Sequence, residues 1–404
     1  MLSPKSLGVT IILTALIAFG AISTDLYLPS LPAITQEFGS DAAQVQLTLS
    51  IFLIGFAFGQ LIYGPISDRF GRRPVLLAGL TLYLAATLAC LFASGIEMLI
   101  VARFAQALGA GTSVVLGRAV VRDVHGREEA ARVLSYMATA MALAPALGPI
   151  VGGILQGAFG WRANFLALAL FGGASLLAVA ALLPETLPAR DPTATRPRQL
   201  LRNYVMLASH REYRAFLLVT ACAYSGIFAF ISGSSFMLID VLGLSPELYG
   251  LCFASMVAGY MLGTFLSARL TLRLGLERLV TVGTVVAALG GGAMALFAWS
   301  GIVSLASILI PVFVFTVGAG LILPNAMAGA LGPFPGLAGA ASSLLGFVQM
   351  SIAAVVGIGV GHWHDGSGRS MASAIAAVGL TALLVELFLL RPQRRAAAAA
   401  ASQR

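Results

Sequence analysis

The chain has 404 residues, 59% hydrophobic and only 10% charged, with a formal net charge of +8. Soluble domains carry about 45–50% apolar and about 25% charged residues, so this composition excludes an ordinary soluble globule. The apolar residues form continuous runs of membrane-crossing length without period-two alternation, which excludes a β-barrel and leaves spanning α-helices.

Twelve spans are expected, at about 8–29, 45–66, 75–94, 98–118, 133–156, 163–183, 215–238, 249–270, 279–299, 303–325, 337–361 and 370–390. Span 1 has Thr14, Ala18, Ala21 and Asp25 on one helical face, with Tyr27 expected to point elsewhere. Span 2 carries Gln46, Ser50, Gln60 and Gly64. The loop after it, Gly64-Pro-Ile-Ser-Asp68-Arg69-Phe-Gly71-Arg72-Arg73-Pro74, is dense in charge and glycine. Gly71 suits a tight turn, and Asp68 suits either the next helix N-terminus or the arginines. A charged lock built from Gly64, Asp68, Arg69, Gly71, Arg72 and Arg73 is expected here as a cytoplasmic gate.

Span 4 sets Arg103, Gln106, Ala110, Ser113 and Gly117 on one face. Asp25 and Arg103 each lie within about 6–8 Å of the outer end of their spans, at matching depths. A charge at such depth costs about 2.5–3.5 kcal/mol, which makes the two a functional-site candidate. Two readings stand: a protonatable carboxylate in a wet cavity, or a static pair that fixes packing. Span 5 contains Pro145, Gly148, Pro149, Gly152 and Gly153; prolines bend a helix and glycines admit a neighbouring backbone.

The longest loop, Pro184–Arg214, divides the chain into six plus six, and Gln199–Tyr213 within it reads as a short helix on the membrane face. The expected organisation is residues 1–184 as one six-helix bundle, 185–214 as a linker, 215–391 as a second bundle and 392–404 as a tail. Span 7 carries Tyr224, Phe228 and Ser232; span 11 carries Ser342, Gly346, Gln349 and Gly357. Gln60, Gln106, Ser113, Tyr224, Phe228 and Gln349 are candidates for a substrate cavity, packing between helices being the alternative. Glu386 near the end of span 12 is expected to snorkel towards the surface beside Arg391.

With the N-terminus inside, the inner loops and tails hold 21 of the 24 basic residues and the outer loops only Arg162 and Arg369, placing both termini in the cytoplasm. The positive charge therefore belongs to loops and not to a nucleic-acid surface. Cys90, Cys222 and Cys252 lie in apolar runs, and His362-Trp363-His364-Asp365 has no further ligands nearby, so no disulfide framework and no metal site is expected. No phosphate-binding glycine loop with lysine and no nucleophile–base set is found, which argues against ATP drive and against an enzyme.

These features together resemble the major facilitator superfamily over essentially the whole chain. The loop Gly64–Pro74 is similar to its signature between helices 2 and 3, with a degenerate echo at Gly263–Arg278 in the second half. Asp25-Leu-Tyr-Leu-Pro29-Ser-Leu-Pro32, Arg103-Phe-Ala-Gln106-Ala107-Leu-Gly109 and the stretch Ala144–Gly153 resemble motifs of the twelve-helix drug:proton antiporters, and within them the bicyclomycin/chloramphenicol-resistance (Bcr/CflA) family. Ala107 and Ala144 stand where that pattern has glycine, and Pro184-Glu185-Thr186 is also similar.

The resemblance implies an all-α integral membrane fold of two six-helix halves. It implies Asp25 as the proton-linked carboxylate, Arg103 as its assistant, and Pro145 to Gly153 as the antiporter-motif helix. The implied protein exports small amphipathic drugs by alternating access from a bacterial inner membrane, as a monomer with lipid around it, driven by protons without a cofactor. An importer or exporter of a metabolite on the same fold is the first alternative, and a non-transporting receptor or enzyme the second.

Overall fold

The computed structural model describes residues 6–125, 127–187 and 189–392. Lys5 and the tail arginines Arg394, Arg395 and Arg404 lie outside the described residues.

The first apolar run forms α1 (Leu7–Asp25), a 3₁₀ turn (Leu28–Ser30) and α2 (Leu31–Phe38). Pro29 and Pro32 lack the N–H that would continue the α-ladder, so the chain tightens and then resumes as helix. The sequence reading ends this span at residue 29; the helical segment instead runs on to Phe38, where Gly39 in the left-handed region closes it. Asp25 therefore sits more than three turns from the end of the helical segment.

The next helices are α3 (Ala42–Phe70), α4 (Arg72–Leu91), α5 (Ile96–Val124), α6 (Arg127–Phe159) and α7 (Arg162–Leu182). Asp41 starts α3 with a reciprocal cap, its carboxylate accepting from the Gln44 backbone while the Gln44 side chain accepts from Asp41 N–H. Then come α8 (Pro197–Ser209), α9 (Arg211–Ser235) with a π turn (Phe236–Val241), α10 (Pro246–Leu274), α11 (Leu276–Trp299), α12 (Leu305–Leu331), α13 (Ala338–His362) and α14 (Arg369–Val385) with a second π turn (Glu386–Leu390).

Eleven helical segments among the described residues are long and apolar enough to cross a membrane, and α6, apolar over Leu143–Phe159, makes the twelfth. Several helices run past the expected ends: α3 reaches Phe70, α5 Val124 and α12 Leu331. Hydropathy marks where hydrocarbon stops, while a helix needs only backbone bonds to continue into water. Leu177, Val101 and Leu289 are 71%, 69% and 66% exposed, as suits side chains that face lipid.

The chain forms two units. One comprises the residues up to Pro197 together with Gly243–Ala254; the other comprises Arg198–Leu242 and the chain from Ser255 on. In the first, α5 packs against α1, α3 and α4, α1 also lies on α6, and α7 packs on α4. In the second, α11 packs against α12 and α14, and α9 against α12, α13 and α14. The echo of the loop motif is visible in the backbone. Gly71 (φ 104°, ψ 151°) and Gly275 (φ 80°, ψ 153°) make the same turn at equivalent places, a conformation that L-residues with a Cβ rarely adopt.

Two further expectations change. The helix read over Gln199–Tyr213 is two helices: α8 ends at Ser209, His210 is extended, and Arg211–Tyr213 begin α9. Glu386 does not reach the surface beside Arg391. It is 0% exposed and accepts a hydrogen bond from Thr281 of α11 at 2.6 Å. Glu386 continues the buried face of α14 that runs through Ile375, Gly379 and Ala382 at regular helical spacing, so its side chain points inward, and the π turn follows it.

Candidate functional site: a buried arginine and a buried carboxylate in the first unit

Arg103 is fully buried on α5. Its Nη1 donates to the Ser23 carbonyl at 3.0 Å and to Gln106 Oε1 at 2.6 Å. The guanidinium lies between two rings, 4.4 Å from the centroid of Tyr27 and 4.3 Å from that of Phe52. Its Nε and Nη2 have no hydrogen-bond partner among the described residues. The charge is thus held by two π faces and two neutral acceptors. Ring quadrupoles offset desolvation by about 2 kcal/mol or more per pair when water is excluded.

Neutral hydrogen bonds extend outward from this centre. Gln106 Nε2 donates to Thr87 Oγ1 at 2.8 Å, and the Thr87 hydroxyl donates to the Tyr83 carbonyl. Tyr83 Oη and Ser23 Oγ are bonded at 2.8 Å. The Thr48 hydroxyl donates to the Val45 carbonyl, so the Tyr27 phenol is the donor in the Tyr27–Thr48 bond.

Asp25, the last residue of α1, is 4% exposed and forms no ion pair with Arg103 among the described residues. It faces the other side of its helix: a Cβ on Gly148 of α6 would meet Asp25 Cβ at 3.0 Å. The static pair between Asp25 and Arg103 is therefore not what the structure contains. Arg103 meets α1 on the α5 side, and Asp25 meets the glycine face of α6. The same division explains Tyr27. The residue left off the Asp25 face is one whose ring covers the arginine.

The two adjacent glycines of α6 serve two neighbours, because successive helical residues point about 100° apart. A Cβ at Gly152 would lie 1.7 Å from the Leu26 carbonyl oxygen, and one at Gly153 would lie 2.2 Å from that of Pro246 on α10. Pro145 and Pro149 fall inside this helix. Beside it, Ser30 donates to Gln156 Oε1, and Asn164 Nδ2 donates to Ser30 Oγ, both at 2.8 Å. Nothing in the local sequence pattern singles out Phe52, Gln156 or Asn164.

At the arginine-rich end, Arg72 is the centre of the charged cluster. Its guanidinium bonds Asp68 at 2.6 Å, Asp123 of α5 at 2.8 Å and Ser67 Oγ at 2.6 Å. Asp68 thus takes the arginine, and the N-terminus of α4 is taken by Glu185, whose carboxylate accepts from Arg72 N at 3.0 Å and Arg73 N at 3.2 Å. Arg73 Nη2 reaches the Ala180 carbonyl, and Arg69 Nη1 donates to Thr195 Oγ1. The linker is laced on as well. Asp191 N–H donates to the Asp68 carbonyl, while Asp191's own carboxyl is held below its usual range by the Thr193 hydroxyl and N–H. Gly64 has open space around it. Asp123 and Glu185, absent from the charged set read in the sequence, complete the cluster.

A carboxylate at a helix N-terminus stabilises by about 0.5–2 kcal/mol. Glu185→Gln is expected to lower the thermal midpoint of the detergent-solubilised protein by a few degrees. Arg72→Ala, which takes the guanidinium from half-buried Asp123, from Asp68 and from Ser67, is expected to cost more, about 1–3 kcal/mol. Thermal-shift chromatography of the two variants checks that order; equal losses would deny Arg72 its central place.

Of the remaining candidates, Ser113 is fully buried and Gln60 partly exposed in the first unit. In the second unit Phe228 is fully buried, while Tyr224 and Gln349 are partly exposed. All three cysteines are free thiols, and no set of metal-ligating side chains gathers among the described residues.

Twelve spanning helices in two units, the first enclosing a buried charged site, define a polytopic membrane transporter. A profile described as the Major Facilitator Superfamily matches residues 11–358, and the chain belongs to that superfamily. It is 30% identical to multidrug resistance protein D of Escherichia coli K12 across 85% of this chain and 86% of that one. It is 29% identical to a bicyclomycin resistance protein homolog of Haemophilus influenzae across 94% of each. Among solved structures it is similar in fold to a D-xylose–proton symporter (TM-score 0.76, 16% identity, 95% and 96% coverage). It is likewise similar in fold to the peptide transporter POT in complex with alafosfalin (TM-score 0.75, 16% identity, 96% and 94% coverage).

Proposed function

We propose that the chain is a proton-driven exporter of small amphipathic compounds, antibiotics among them, working by alternating access in a bacterial inner membrane with both termini cytoplasmic. The observation that carries this reading is Asp25: a buried carboxylate at a helix break, against the glycine face of α6, with no ion pair to Arg103 among the described residues. A carboxylate without a fixed cation is available to exchange a proton or meet a ligand. Arg103, held by Ser23, Gln106 and two rings, supplies a fixed positive charge on the far side of the same helix. The names of the relatives, multidrug and bicyclomycin resistance, support drugs as substrates.

In the proposed cycle, proton and substrate compete for the Asp25 region, and the proton's return supplies the free energy. Only ligands that bind the two states differently shift them. Gln60, Gln106, Ser113, Tyr224, Phe228 and Gln349 are proposed to contribute to the substrate path. The Asp68–Arg72–Asp123 cluster with Gly64, Arg69, Gly71 and Arg73 is proposed as the cytoplasmic gate. The working parts are the bundles 1–184 and 215–391 joined by 185–214. The proposed form is a monomer with no cofactor.

The test is drug accumulation in a sensitive bacterial host and in inverted vesicles carrying an imposed proton gradient. Expression is expected to lower cellular accumulation several-fold, with a protonophore abolishing the effect. Inverted vesicles acidic inside should take drug up. Uptake of drug into whole cells with the gradient would reverse the direction and favour an importer.

A further inference from the structure

The second unit holds an ionisable group that the proposed cycle does not use. Glu386 is 0% exposed. It stands at the first position of the π turn Glu386–Leu390, whose last backbone bond runs from Arg391 N–H to the Glu386 carbonyl. Single π turns in α-helices recur at functional sites, and an ionisable residue inside a spanning segment is costly unless it has a task.

One of its partners is a hydroxyl with a choice. Thr281 Oγ1 lies 2.6 Å from Glu386 Oε1 and 3.1 Å from the Glu277 carbonyl. A hydroxyl has one hydrogen and two lone pairs. When Glu386 is ionised, Thr281 donates to it. When Glu386 carries a proton, Glu386 donates to Thr281 Oγ1, and the hydroxyl hydrogen turns to the Glu277 carbonyl. Both states keep the short contact and give the two hydrogens of this pair an acceptor, with one hydroxyl rotation between them. Switching between the two arrangements needs no helix to move.

The geometry points to Glu386 and Thr281 as a second proton-binding site, in the unit that does not contain Asp25. The π turn packs on α14, α9 and α11. The charged and titratable side chains at the same end of those elements are Glu277 and Arg278 on α11, Arg211, Glu212, Tyr213 and Arg214 on α9, and Arg391 beyond the turn. Glu277, Arg278, Arg211, Arg214 and Arg391 are exposed, so only the length of the turn separates the buried acid from the charged surface. The site is independent of which solute is moved; that its proton is part of the transport cycle rests on the proposed function.

The test is pH-difference infrared spectroscopy of the full chain in lipid vesicles. Wild type and Asp25→Asn are expected to show a titrating protonated-carboxyl band that Glu386→Gln lacks. Thr281→Val, which keeps the acid and removes its partner, is expected to shift that band in frequency and in titration midpoint. A full-amplitude band in Glu386→Gln overturns the site, and an unshifted band in Thr281→Val overturns the pairing, including where Glu386→Gln does not fold. Loss of the proposed export function would show instead as protonophore-insensitive accumulation, which these spectra do not read.

Discussion

Gly152→Val is expected to prevent accumulation of folded protein in the membrane. The Cβ alone would sit 1.7 Å from the Leu26 carbonyl oxygen, inside any van der Waals contact, and the obstacle is backbone that no rotamer change can move. Either α1 and α6 separate, or the break after Asp25 rearranges. Overpacking a well-filled core costs about 1–3 kcal/mol, occasionally more, and a clash against backbone belongs at or beyond the top of that range. Gly152→Ala is expected to fail almost as badly, because the clash is with Cβ itself. Gly173→Ala on α7 is the control: nothing lies within 4 Å of its Cβ, and removing a helical glycine gains about 0.5–1 kcal/mol. Fluorescence-detected size-exclusion chromatography with a heating series checks all three. A monodisperse Gly152→Val peak at the wild-type midpoint would mean that α1 and α6 do not cross as described.

The second large effect separates the two charges of the first unit. Asp25→Asn is expected to leave the thermal midpoint within a few degrees of wild type, because no ion pair to Arg103 is broken, while drug efflux falls at least about tenfold, equivalent to about 1.4 kcal/mol on the coupled step. Arg103→Ala is expected to lose both stability and efflux. It leaves the Ser23 carbonyl and the Gln106 amide oxygen without their donor, and a void between Tyr27 and Phe52. Arg103→Lys keeps the charge but not the planar fork that stacks on both rings and reaches two acceptors, so intermediate stability with strongly reduced efflux is expected. Accumulation assays at matched membrane expression, paired with heating curves, read the two quantities separately. Equal destabilisation by Asp25→Asn and Arg103→Ala would restore a coupled pair.

Much of this was legible in the chain. Continuous apolar runs, loop arginines and the Gly64–Pro74 motif require no knowledge of neighbours, because hydrocarbon thickness and backbone satisfaction impose them on each span separately. The buried face of Arg103, Gln106, Ala110 and Ser113 follows from helical spacing alone.

What the tertiary structure decided is which groups meet. Matching depth along their helices would let Asp25 and Arg103 meet, yet depth says nothing of azimuth. Packing α1 between α5 and α6 sends the arginine to the Ser23 carbonyl and the carboxylate to Gly148. Tyr27 and Phe52 became the arginine's clamp, and Glu185 the cap of α4, through contacts between segments that no local period encodes. Glu386 shows the same limit within one helix. It shares the face of Ile375, Gly379 and Ala382, and packing that face inward brings it onto Thr281 of α11 instead of out to the surface beside Arg391. Spacing along a chain constrains faces and depths; only the packed helices settle the angles between them, and the chemistry of a buried charge depends on those angles.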